Sequence, residues 1–341
     1  MSNGTTYYAG GTGISGTLVG TVTEFGFGVG YRSGWATSSL NLIGTTNDPP
    51  DNRIVFPQFS GVSLIWGHGR FMWPGLGGGT TNNATMYRLL DSSGVARIVV
   101  RGAGSGAVKV DTHDSMGNFV NLFTSANGVV PTSGSLSIPM DIKVNYAVSG
   151  SVQLWINNIS VGSFSGDVTT ESVAALAQAD YSDPFTSQAI YWSEMFGSDS
   201  ITINAGLFTL NPLAGGVTQL WAGSASDINK IGVDDTSFIS DNTAGDLSGW
   251  TTPVSFPTGS WLIQSIVQEA RAAVGLSGPQ HFDWYCRTAD GSDHLGGTSN
   301  APTLFFGNFP NFIWPQNPHT AATWVQGDIV SGFNLGVKSL A

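Results

Sequence analysis

The chain has 341 residues, 46 of them glycine, with 11 % aromatic and only 10 % charged side chains, against about 25 % charged in an ordinary soluble domain. That composition excludes a coiled coil or long-helix protein, which needs Glu, Lys and Arg in quantity, and the lack of a three-residue glycine period excludes collagen. The net charge of −11, with the cations scattered, argues against a nucleic-acid partner, whose footprint is a basic patch.

The acids are 19 Asp to four Glu. Aspartate belongs to turns and caps, glutamate to helix faces, so the choice of acid points to an all-β protein. No apolar stretch is long enough to span a bilayer as a helix, and no signal peptide is visible, so neither membrane insertion nor a secretory route is expected. Cys286, the single cysteine, cannot form an internal disulfide and reads as a core residue.

Residues 1–34 read as a glycine-rich N-terminal arm. Its apolar positions Tyr7, Tyr8, Leu18, Val22, Phe25 and Phe27 fit either a segment that docks on another subunit or the first hairpin of its own domain. Residues 35–210 form a first β-sandwich, with strands expected at 54–59, 62–66, 86–90, 96–100, 107–110 and 118–123. The clearest pattern is 141–164, where Ile142, Val144 and Tyr146 alternate with polar residues. There, strands 151–156 and 159–164 meet at Asn157-Asn158, a pair suited to a type I′ turn. Residues 170–179, with Thr170 as cap and an Ala/Leu run behind it, predict a helix. Further strands are expected at 188–196 and 200–210.

The Pro-Gly cluster at 211–216 marks a domain boundary. Residues 211–341 form a second β-sandwich, with strands expected at 217–224, 260–273, 281–288, 304–306 and 334–338.

Motifs for chemistry are sparse. Gly11-Thr12-Gly13-Ile14-Ser15-Gly16 has the letters of a dinucleotide fingerprint but lacks the helix that would follow it. No paired-acid strand motif of a glycosidase is present, Glu194 stands alone among aromatics, there is no nucleophile elbow, and the five histidines are dispersed in sequence. The expectation is a non-enzymatic protein with no catalytic residue and no cofactor. Asp111/Asp114 and Asp290/Asp293 lie in oxygen-rich loops of a kind that can hold Ca²⁺, without EF-hand spacing.

The aromatic excess is the most informative feature. Trp66, Phe71 and Trp73 in one segment, and Phe306, Phe309, Phe312 and Trp314 in another, fit core filling, a protein–protein seam or glycan stacking.

The run Asp141-Ile142-Lys143-Val144-Asn145-Tyr146 followed by Val152-Gln153-Leu154-Trp155-Ile156-Asn157-Asn158-Ile159-Ser160-Val161-Gly162 resembles the late strands of concanavalin-A-like (laminin-G-like) jelly rolls, with Asn158 where those folds carry glycine. Residues 211–216 and the end at Asn334-Leu335-Gly336-Val337-Lys338-Ser339 resemble tailed-phage virion proteins. The resemblance implies a bacteriophage virion structural protein of a tail, a fibre or a capsid decoration. It would be made in a host cytoplasm, located in the virion and homo-oligomeric, assembling with other virion proteins and contributing to host-surface attachment. The alternative is a lectin-like module that binds a receptor or host-surface glycan, and further off a glycan depolymerase.

Overall fold

The computed structural model describes residues 4–10, 17–19, 22–26, 38–43, 52–72, 84–114, 116–131, 137–169, 175–182, 189–229, 234–252, 256, 259–299, 303–309, 311–330 and 332–341. The chain divides into two compact units, one of Tyr7–Leu207 and the other of Phe208–Ala341 with Met1–Thr6. The all-β expectation holds: the described residues form antiparallel sheets, with one short helix (Ala225–Ile228) and one 3₁₀ turn (Gln326–Asp328). Among them no helix is long and apolar enough to cross a membrane.

The first unit is a sandwich. In chain order its strands are β1 (Thr6–Gly10), β2 (Thr17–Val19), β3 (Val22–Gly26), β4 (Ser38–Ile43), β5 (Arg53–Val55), β6 (Leu64–Met72), β7 (Thr85–Asp91) and β8 (Ala96–Gly104). There follow β9 (Ala107–His113), β10 (Phe119–Thr124), β11 (Ile138–Asn145), β12 (Gly150–Ile156), β13 (Ile159–Gly166), β14 (Leu176–Ser182) and β15 (Ala189–Ser198). The first sheet runs β13-β12-β11-β6-β15-β4-β3, with β1 also on β15, and the second runs β10-β9-β8-β7-β14-β5-β2. Apolar residues at every second position turn inward from both sheets. Ile65, Phe71, Ile142, Val144, Leu154 and Trp192 of the first meet Tyr87, Leu89, Ile98, Val110 and Tyr181 of the second in one core. Gly67 and Gly69 of β6 let that core close. A Cβ at Gly67 would lie 2.4 Å from the Tyr87 hydroxyl, and one at Gly69 would lie 2.8 Å from the Tyr181 ring.

The β12–β13 hairpin forms as the sequence indicates. Asn157 and Asn158 sit at φ 53° and 63°, the left-handed pair a type I′ turn needs.

Three expectations are corrected. The described end of the expected helix at 170–179 is strand β14, hydrogen-bonded between β5 and β7. The helical leaning of its Ala/Leu run is overridden because Leu176, Ala179 and Tyr181 fill the core. Residues 200–210 form no strand. Instead a turn closes from the Ala205 N–H to the Thr202 carbonyl, and Asn204 takes φ 65°. The N-terminal segment is not a separate arm where it is described, because β1, β2 and β3 pair with β15, β5 and β4. Tyr8 is fully buried, its hydroxyl 2.9 Å from that of Tyr87 and 3.1 Å from that of Tyr181. Tyr7 stacks on Phe59 at 5.4 Å. Leu18, Val22 and Phe25 stand in paired strands, and Phe27 lies outside the described residues.

The second unit carries a five-stranded sheet ordered β16 (Ala214–Gln219), β17 (Leu247–Thr251), β24 (Asn334–Leu340), β20 (His281–Arg287) and β21 (Asp293–Thr298). Two ribbons accompany it, β18 (Ile266–Gln268) with β23 (Phe312–Trp314) and β19 (Arg271–Ala272) with β22 (Gly307–Asn308). The strand expected over 260–273 is thereby reduced to two short pieces, and residues 304–306 precede a strand rather than form one. Phe282, Trp284 and Cys286 alternate on β20 into a core with Ile266, Phe309, Trp314, Trp324 and Phe333. Burial pushes the Cys286 thiol up to about 12.

Candidate functional site

Strand alternation decides where the sequence-flagged rings go. Trp66 and Phe71 are five residues apart on β6, an odd interval, so they face opposite sides of the sheet. Phe71 packs in the core against Trp192 at 5.3 Å, and Trp66 faces outward. Trp73 lies outside the described residues. In the second unit Phe309, Phe312 and Trp314 belong to the core or pack on it, and Phe306 contacts Phe238 at 5.5 Å. Among the described rings, Phe71, Phe309, Phe312 and Trp314 therefore serve the packing of their own units, and Trp66 is left on an outer sheet face.

The carboxylates expected as Ca²⁺ candidates are engaged with protein donors. Asp111 is held by Arg101 and by the Asn121 amide at 2.8 Å. Asp114 accepts the backbone N–H groups of Met116 and Asn118, which with the Asn118 amide holds its carboxyl below the usual range. Asp290 accepts from Ser292 and Thr288, which lower it to about 2. Asp293 accepts from Tyr285 at 2.7 Å and pairs with Arg287. Among the described residues no group of three or more His, Cys, Asp or Glu side chains could hold a metal ion.

What does come together is the outer face of the first sheet. Two rows of direct cross-strand partners run over it. One is Trp66–Lys143–Gln153–Ser163 and the other is His68–Asp141–Trp155–Ser160. The middle of the face is sealed. His68 Nδ1 lies 2.8 Å from Asp141 Oδ1, the Thr202 hydroxyl donates to the same oxygen at 2.7 Å, and His68 stacks on Phe196 at 4.6 Å. The backbone of β15 bulges here, with Glu194 at φ 49° and wholly buried, beside Arg70 and accepting the Leu207 N–H at 3.2 Å. The segment carrying Thr202 and Leu207 thus lies over this part of the sheet.

Toward β13 the face opens. Trp155, Gln153 and Lys143 are half-buried, while Ser160 and Ser163 are exposed. Trp155 stacks on Trp66 with ring centroids 5.2 Å apart and planes 23° from parallel. The Lys143 ammonium sits 5.4 Å from the Trp66 ring centroid, a cation–π contact. The Gln153 amide donates to Ser160 at 3.1 Å. The sequence reading named Trp66 here but missed Trp155, Lys143 and Gln153. The signal was present: they occupy the alternate positions opposite Ile142, Val144, Val152 and Leu154.

The outer face of the second sheet has a different character. Its central row is Asp180–Arg88–Val99–Asp111–Asn121. Arg88 Nε lies 3.0 Å from both oxygens of Asp180, and Arg101 pairs with Asp111 while lying over the Phe119 ring at 3.4 Å. Burial and the neighbouring Arg101 push the Lys109 ammonium below its usual range.

No protein-family model matches the chain, and no curated protein matches it in sequence. Solved structures are similar to it at low identity. An endo-β-1,4-glucuronan lyase from the fungus Trichoderma reesei has a TM-score of 0.42 at 11 % identity, covering 58 % of this chain and 96 % of its own. The alginate lyase vAL-1 from a Chlorella virus has a TM-score of 0.36 at 9 % identity, with 53 % and 91 % covered. The receptor-binding domain of botulinum neurotoxin type G has a TM-score of 0.33 at 9 % identity, with 100 % and 98 % covered. At these identities and TM-scores no residue or activity is carried over. One expectation does need correcting. Two of these similar structures are polysaccharide lyases, so a missing paired-acid motif is no ground for calling the chain a non-enzyme.

Proposed function

We propose that the Tyr7–Leu207 unit is a carbohydrate-binding sandwich whose ligand lies across the open part of the first sheet, over Trp155 and along Gln153, Ser160 and Ser163. The observation that carries this reading is the Trp66–Trp155 stack on a face turned away from the core. A sandwich fills its interior with rings for packing, but a half-buried indole on the outer face gains nothing from that interior. A sugar ring presents an apolar C–H face that an indole covers, and its hydroxyls need donors and acceptors beside that face. Gln153 and the two serines supply both kinds. Trp66 lies behind Trp155 and fixes its plane. The sealed His68–Asp141–Thr202 group holds the floor on which the platform stands.

The test is binding of purified protein to a panel of polysaccharides by affinity electrophoresis and calorimetry. At least one glycan is expected to bind, and Trp155→Ala to abolish that binding while Phe305→Ala, at an 82 % exposed ring in the other unit, leaves it intact. A panel with no ligand, or a Trp155→Ala protein that binds as before, overturns the reading.

A further inference from the structure

We infer that the glycan bound on this face is acidic, and that Lys143 selects it by pairing with a carboxylate or sulfate group. The inference rests on the glycan-binding reading above. It is carried by the way this chain handles its cations. The net charge is −11, so carboxylates are plentiful, and all seven described arginines have one within ion-pair distance. Arg53 and Arg88 pair with Asp180, Arg70 with Glu194, Arg97 with Asp91, Arg101 with Asp111, Arg271 with Asp235 and Arg287 with Asp293.

Lys143 and Lys338 have no such pair among the described residues, and what sets Lys143 apart is its place. It sits in the middle of the Trp66–Lys143–Gln153–Ser163 row, half-buried, and its contact is the Trp66 ring. The acid two residues away on the same face, Asp141, is engaged by His68 and Thr202 rather than by Lys143. An indole steadies an ammonium through its ring face but accepts no conventional hydrogen bond, so among the described residues nothing matches the three N–H donors of Lys143. A ligand anion set between the Trp155 ring and the Gln153 amide meets those donors. Charge-assisted hydrogen bonds of this kind are stronger than neutral ones, and a partly buried setting weakens screening by salt. In a protein of this overall charge an anionic polymer is repelled at long range. Selection must therefore come from a local cation, and on the open face Lys143 is placed to supply it.

The experiment compares three soluble polymers at fixed ionic strength, namely polygalacturonate, dextran sulfate and neutral dextran, against the wild-type protein, Lys143→Gln, Lys143→Arg and Trp155→Ala. Wild type is expected to bind one of the two acidic polymers at least about tenfold more tightly than dextran. Which of the two it prefers separates a carboxylate ligand from a sulfate one. Lys143→Gln is expected to lose that preference together with most of its salt dependence, and Lys143→Arg to restore part of it. Equal affinity for neutral and acidic polymers, or a Lys143→Gln protein with the preference intact, overturns the inference and leaves the glycan reading standing. Binding that is acid-selective but unaffected by Trp155→Ala overturns the platform instead. Binding to none of these polymers or any other glycan overturns both.

Discussion

On the outer face of the second sheet, Arg88, Arg101 and Arg53 lie against Asp180 and Asp111, and all of these but Arg53 are buried. On the open part of the first sheet a lysine rests on an indole beside a half-buried tryptophan and exposed serines. The two faces occupy equivalent positions in one sandwich. Their difference follows from burial. A cation removed from water must bring its own anion, since an unpaired buried charge is far costlier than a paired one. A cation at a water-accessible edge is under no such constraint, so its hydrogen-bonding capacity stays available to a ligand. Internal charge matching is thus a mark of structure, and its local absence a mark of a surface that meets something else.

The comparison breaks most directly at Arg88. Replacing it with Met takes the nearest guanidinium from Asp180, which is 0 % exposed, while Arg53 Nε stays at 3.7 Å. A loss of about 3–5 kcal/mol in urea unfolding is expected, and the double change Arg88→Met with Asp180→Leu is expected to recover most of it. A loss of under about 1 kcal/mol would mean that this face is wetter than its burial indicates.

A smaller effect is expected at the turn that holds the open face. Asn158→Val forces a β-branched residue to φ 63° and is expected to cost about 1–2 kcal/mol. Asn158→Gly is expected to be neutral or slightly stabilising. Thermal melts of both variants check the ordering.

Of similar size is the stability cost of Trp155→Ala, expected at about 2 kcal/mol because roughly half of the ring's surface is already out of water. The same change is expected to remove glycan binding. A variant that unfolds instead would place Trp155 on the closed side of the comparison. Cys286 offers a control that changes no residue. Burial holds its thiol near 12, so at pH 8 it stays protonated, and iodoacetamide is expected to label it only once denaturant opens the second unit.

How much of this was legible in the sequence depends on how local each signal is. The β12–β13 hairpin was readable because two consecutive asparagines tolerate positive φ wherever they stand. The helix expected at 170–179 failed because an Ala/Leu run is a weak local preference, whereas the slot between β5 and β7 is a long-range demand. Trp66 and Phe71 were grouped as neighbours in sequence, and only a defined strand shows that they face opposite ways. Lys143 and Trp155 could have been found by following the polar phase of a strand whose apolar phase was already read. The pairing of His68 with Asp141, 73 residues apart, had no sequence signal at all.

The tyrosine triad has a consequence for the order of events during synthesis. Tyr8 hydrogen-bonds Tyr181 across 173 residues of chain, and its strand completes the first sheet by adding to β15, which begins at Ala189. The earliest strand of the unit is therefore the one that waits longest for its neighbour. Until β15 has left the ribosome, two aromatic rings and an unpaired strand edge stay exposed beside a growing chain. Contacts this distant in sequence close slowly, and exposed strand edges are where nascent β-proteins associate wrongly. The step that seals this sandwich is a late return of its beginning.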